Sequence, residues 1–124
     1  MSIQLLVLTG LGGGGGAVAR YWVDTVIRSR IRSAFPWGTM TINVSGSLIL
    51  GALTGLASAH LLGAQWLTLL GTGVMGGYTT FSTASVETVR LLVDRHYPAG
   101  LVNGLGMIAL CVAAASLGVA VGRG

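Results

Sequence analysis

From Ser33 to Val86 the chain carries no aspartate, glutamate, lysine or arginine, and a second such run extends from His96 to Gly122. No other feature limits the possible folds as tightly. Water-soluble domains devote about a quarter of their residues to charged side chains. Here the share is 8% of 124 residues, with a mean hydropathy of +0.80. A bilayer core is crossed by about 20 consecutive, mostly apolar residues in a helix. Four stretches satisfy that requirement, at residues 3–26, 37–59, 66–93 and 98–121. The expected fold is an all-α membrane protein, a single four-helix transmembrane domain over residues 1–124.

The few charges then set the orientation. All seven basic residues are arginines. Arg28, Arg30 and Arg32 fill the connection between helices 1 and 2, and Arg90 and Arg95 flank the connection between helices 3 and 4. With four spans these connections share a side, and the opposite side carries only Arg123. Basic loops are retained in the cytoplasm, so both termini are expected outside, in one fixed topology in the inner or plasma membrane. The net charge of +4 is thus a topological signal rather than a nucleic-acid patch. The first apolar stretch is too long for a signal peptide and lacks a basic n-region. Cys111 is single, which excludes an intrachain disulfide, and reads as a small packing residue. His60 and His96 fall at helix ends, and no Ser/His/Asp arrangement calls for enzyme chemistry.

Glycine is abundant, at 21 residues. The run Gly12–Gly16 invites a phosphate-loop reading, but no Lys-Ser/Thr follows it and no strand precedes it. In membranes, small residues four apart let helix backbones approach closely. Gly12 and Gly16, Gly51 and Gly55, Gly100 and Gly104, and Gly118 and Gly122 have that spacing. Packing of helix on helix, including against another subunit, is the default role.

Two stretches are too polar for inert spans. Helix 2 opens at Pro36-Trp37 and continues through Thr39, Thr41, Asn43, Ser45 and Ser47. Thr39 and Asn43 share a helical face. Either these groups bond between helices, at about 0.6 kcal/mol each, or they line a path for a solute. The second stretch is GGYTTFSTAS, residues 76–85, where a glycine pair precedes β-preferring residues. A broken helix at membrane depth frees carbonyls for a cation and amides for an anion; the alternative is a kinked helix packed by small residues. Glu87 follows, with Ser82, Thr83 and Thr88 as its expected partners. A carboxylate at that depth is costly and marks a candidate site.

With GAVARY (16–21), PWGTMTINVSGSLILG (36–51) and GTGVMGGYTTFSTASVET (71–88), the chain resembles the CrcB/Fluc family of small fluoride channels. The resemblance covers helices 1 to 3. It implies an antiparallel dimer with two anion pores on either side of a structural sodium ion. Backbone carbonyls at the helix 3 break, those of Gly76 and Thr79, would hold that ion. It further implies a fluoride path along Thr39, Asn43, Phe81, Ser82, Thr83 and Glu87, and places Arg20 at an aqueous vestibule. Phe81 would offer the positive edge of its ring.

Departures from the family pattern bear on assembly. Ala84 stands where a second pore phenylalanine is usual, and Asn103, Met107 and Cys111 replace a tyrosine and serines on helix 4. Together with the arginine asymmetry, this favours one subunit of a heterodimer with a homologous partner over a homodimer. The expected function is passive fluoride export. The alternatives are a non-conducting subunit that supports an active partner, and a small drug/proton antiporter. An antiporter needs a carboxylate within helix 1, where Asp24 lies close to the end.

Overall fold

The computed structural model describes residues 2–124, and no strand occurs among them. Helix α1 spans Ile3–Arg30, its first turn capped by the Ser2 hydroxyl, which accepts from the Leu5 amide at 3.1 Å. It continues four residues past the expected end at residue 26. Arg28 and Arg30 lie in its last turn, where cations favour the negative end of the helix dipole. Helix α2 spans Trp37–Ser58, close to expectation.

The third apolar stretch is divided. Helix α3 (residues 64–78) runs through Ala64–Leu67, a π-helical section Thr68–Met75, and Gly76–Tyr78. Helix α4 covers Ser82–Val93. Helix α5, Tyr97–Arg123, contains a second π-helical turn at Val102–Gly106. Among the described residues, Trp37–Ser58 and Tyr97–Arg123 are long and apolar enough to cross a membrane.

The break expected in the third stretch is present, but it is not where the glycines are. Gly76 and Gly77 are helical, and the chain departs from helix at Thr79 (φ −79°, ψ 160°). Gly77 instead answers to packing: a Cβ there would run into the backbone of Gly13 on α1. Within a bilayer, where unpaired backbone is costly, glycine does not suffice to break a helix.

Close backbone contact organises the other helices as well. The most extensive helix pair is α2 with α5. Gly51 and Gly55 lie on the carbonyls of Ala115 and Val119, and Gly118 and Gly122 on those of Leu48 and Ala52. Both expected spacings are therefore used, each glycine admitting a neighbouring backbone that a methyl group would expel. Gly16 packs on Val74 and Tyr78 in the same manner. Gly12, Gly100 and Gly104 face side chains, those of Val74, Leu92 and Thr88.

The interior is small. Met40, Ala84 and Met107 form its centre, with Phe35, Val44 and Cys111 packed around them. Cys111 thus occupies the packing role its type suggested. Large apolar side chains such as Leu11, Val18, Leu105 and Val121 point outward. An outward-facing apolar shell of this extent is suited to hydrocarbon or to another protein surface, not to water.

Candidate functional site

The break is built by side chains that capture backbone groups. Thr79 keeps its amide on the Met75 carbonyl at 3.0 Å, and its hydroxyl bonds the same oxygen at 3.0 Å. At Thr80 the helix gives way. The Thr80 amide donates to Asn43 Oδ1 at 2.8 Å, and Asn43 Nδ2 donates to the Thr80 carbonyl at 2.7 Å. A continuous helix would turn that amide to Gly76. Next, the Thr80 hydroxyl accepts from the Thr83 amide at 3.2 Å, the capping arrangement that starts α4. That amide would otherwise serve the carbonyl of Thr79. The carbonyls of Gly76 and Thr79 are thus among those whose regular helical donors are turned elsewhere.

Asn43 is buried, and its Nδ2 also lies 3.2 Å from Met107 Sδ. One of the two readings of its amide, bonding between helices, is therefore realised at the break. Thr80 was not singled out in the sequence. The available signal was a threonine three residues before Thr83 at the head of an apolar-periodic segment, the pattern of an N-cap.

Around the break the predicted pore residues divide between two faces. Asn43, Phe81 and Ala84 front a groove of about 680 Å³ between α2, α4 and α5. Asn103, Met107 and Cys111 lie along its α5 wall at successive turns. The Phe81 ring is 84% exposed. On the other face, Thr39, Thr83 and Arg20 line a cavity of about 170 Å³ with Asp24. Ser82, Thr83 and Glu87 line one of about 260 Å³ with Arg28 and Arg90. Thr80 borders both the groove and the smaller cavity.

Glu87 does not take the partners its neighbours offered. Its Oε1 accepts from the Thr39 hydroxyl at 2.5 Å, and its Oε2 lies 3.3 Å from Arg28 Nη2. Thr88 instead returns its hydroxyl to the Ala84 carbonyl at 2.8 Å, the usual bond of a helical threonine four residues back. The expectation of Ser82, Thr83 and Thr88 as partners is corrected in favour of Thr39 and Arg28. Arg28 Nε also contacts Asp24 Oδ2 at 2.8 Å. Arg28 lies beyond the expected end of the first span, and the Asp24 hydrogen bond holds its guanidinium above the ordinary value against a lesser opposing effect of burial. It is charged at any physiological pH.

Asp24 has a second contact. Its Oδ1 abuts Gly38 in the first turn of α2, at the one place where a Cβ would strike it. Pro36 precedes that helix and cannot cap it with a side chain, so a carboxylate there favours the positive helix end. Asn103, 1% exposed, donates to the Thr88 hydroxyl at 2.8 Å and the Ala84 carbonyl at 3.3 Å. It ties α4 to α5 within the second π-helical turn.

The family model described as CrcB-like protein, Camphor Resistance (CrcB), matches residues 7–119. The chain belongs to the CrcB-like family. It is 50% identical over 122 residues to the fluoride-specific ion channel FluC 1 of Leifsonia xyli, covering 98% of this chain and 89% of the relative. It is 43% identical over 115 residues to the fluoride-specific ion channel FluC of Sorangium cellulosum, covering 92% and 91%. It is 50% identical over 113 residues to the fluoride-specific ion channel FluC 2 of Cutibacterium acnes, covering 90% and 92%. The CrcB-like match takes in part or all of every helix described above, including most of α5, which the quoted motifs do not reach.

Proposed function

We propose that this CrcB-like chain is a subunit of a fluoride-selective channel that exports fluoride passively from the cytoplasm, with no enzymatic step. The observation that carries the reading is the break at Thr79–Phe81, where a buried asparagine holds the backbone open and a phenylalanine ring stands free. Relatives up to 50% identical and matched over nearly the whole chain bear the name of that activity. Thr39, Asn43, Phe81, Ser82, Thr83 and Glu87 line the fluoride path, and Arg20 raises the local anion concentration at its vestibule.

The subunit crosses the membrane four times as one domain, with both arginine-rich connections in the cytoplasm and both termini outside. It pairs with a homologous subunit in the opposite orientation, the heterodimer suggested by the arginine asymmetry. The division of path residues between two faces supports an assembly in which a partner completes the path past the exposed Phe81. The Gly76 and Thr79 carbonyls fit a structural sodium ion, because the amides that would bond them serve Asn43 and Thr80 instead. When bound, such an ion would supply positive charge at the break. Backbone carbonyls freed at a helix break are suitable donors for such a cation.

A second reading, a subunit that supports an active partner, is favoured by the Ala84, Met107 and Cys111 wall, which offers fluoride few hydrogen-bond donors. Reconstitution in fluoride-loaded liposomes, alone and co-expressed with the homologous partner, tests the assembly, and a substitution at Phe81 then separates the readings. Efflux only from the co-expressed sample supports the heterodimeric channel, and no efflux from either sample would refute it. Phe81→Ile is expected to reduce efflux about two- to tenfold, the worth of one aromatic contact. Because the ring is 84% exposed, the subunit itself should remain as stable. Unchanged efflux in the co-expressed sample would assign the working pore to other residues.

A further inference from the structure

Arg28 joins two of the three acidic residues in the chain, Asp24 on its own helix and Glu87 on α4. The two contacts use different nitrogens, Nε for Asp24 and Nη2 for Glu87. Glu87 is the inner member, its side chain 12% exposed, with its other oxygen on Thr39. An ionised carboxylate so placed, without a counter-charge, repels any anion in the adjoining cavity. We propose that Arg28 is a positioning residue for fluoride passage: it neutralises Glu87 and holds it against Thr39, keeping the carboxylate from closing the path. The inference rests on the fluoride-channel reading.

The surroundings leave that task to Arg28. Glu87 is faced from α1 by Arg28 and, through it, by Asp24; from α2 by the uncharged Thr39; and from its own helix by Arg90, which lines the same cavity without an ion pair to Glu87 among the described residues. Asp94 and His96 border the adjoining cavity of about 240 Å³. A planar guanidinium can serve two carboxylates at once in fixed geometry, whereas an ammonium cannot. The inventory of the two cavities flanking α4 (Arg20, Arg28 and Arg90 against Asp24 and Glu87) leaves one positive charge in excess. Losing Arg28 cancels that excess.

The test measures fluoride efflux from liposomes for Arg28→Gln, Arg28→Lys, Glu87→Gln and the double variant Arg28→Gln/Glu87→Gln. The preparation is whichever one, the chain alone or with its homologous partner, passes fluoride when unsubstituted. Arg28→Gln should lower efflux about tenfold or more, the effect of losing an opposite charge within contact distance. Arg28→Lys should fall between it and the parent. Glu87→Gln, which keeps an acceptor for Thr39 but alters a path residue, should retain reduced but measurable efflux, and adding Arg28→Gln to it should change that efflux less than about twofold. A further large loss in the double variant would overturn the proposal, since Arg28 would then be attracting the anion directly. A non-conducting Glu87→Gln would also overturn it, because the carboxylate charge itself would be required. Should Arg28→Gln fail to assemble by size-exclusion chromatography, Arg28→Lys with and without Glu87→Gln gives the same comparison. Absence of efflux from both unsubstituted preparations defeats the channel reading itself, a result that the variants cannot mimic.

Discussion

Asn43→Leu should abolish fluoride efflux. Leucine keeps the branching and heavy-atom count of asparagine, so the substitution opens no void at this buried position. It removes both bonds between Asn43 and the Thr80 backbone and the contact with Met107. A buried polar group left unpaired costs about 1–3 kcal/mol, and here both the amide and the carbonyl of Thr80 are orphaned. The nearest remedy is helical: the Thr80 amide can return to Gly76. That repair lengthens α3 into the break and swings Phe81 to a different direction. Efflux should therefore fall far more than for Phe81→Ile, where only one ring is altered. Hydrogen exchange should report the repair as a change in protection at Thr80. Efflux within about twofold of the parent would mean that the asparagine does not hold the break open.

The second large effect separates two adjacent glycines. Gly77→Ala places a methyl group on the Gly13 backbone, whose carbonyl carbon and Cα would lie at 2.7 and 2.9 Å. Backbone cannot turn aside as a side chain can, so α1 must retreat from α3. Overpacking of this kind costs about 1–3 kcal/mol. It should show as a lower temperature of aggregation in detergent and as lost efflux. Gly76→Ala meets nothing nearer than the Gly71 carbonyl at 4.0 Å. In a helical position, alanine is favoured over glycine by about 1 kcal/mol, so this variant should be as stable as the parent or more so. Equal damage from the two would restore the view of the glycine pair as the helix breaker.

What could be read in the sequence followed from the solvent more than from local propensity. The uncharged runs fix where helices lie, because hydrocarbon tolerates little else, and α2 begins and ends within a residue of its expected span. The glycine spacings of α2 and α5 were legible for the same reason. The position of the break was not. It depends on an asparagine 37 residues away taking a backbone amide, a tertiary event that leaves no local signature beyond polarity. The partners of Glu87 were hidden likewise, at separations of 48 and 59 residues. Nothing in the residues of Thr68–Met75 marks a π-helical section. The resemblance identified Asn43 and Phe81 as neighbours on one track and also placed Ser82, Thr83 and Glu87 there. In the fold those three lie on the opposite face of α4.

The bond between Asn43 and Thr80 has a consequence for biosynthesis. Synthesis proceeds from the N-terminus at about 5–20 residues per second, so the asparagine emerges about two to seven seconds before the residue that satisfies it. During that interval α2 must enter the bilayer with a bare amide. Insertion of α2 is therefore at its most vulnerable before the third stretch arrives, and a pause in translation between the two would prolong that exposure. The order of the chain makes the latch close last.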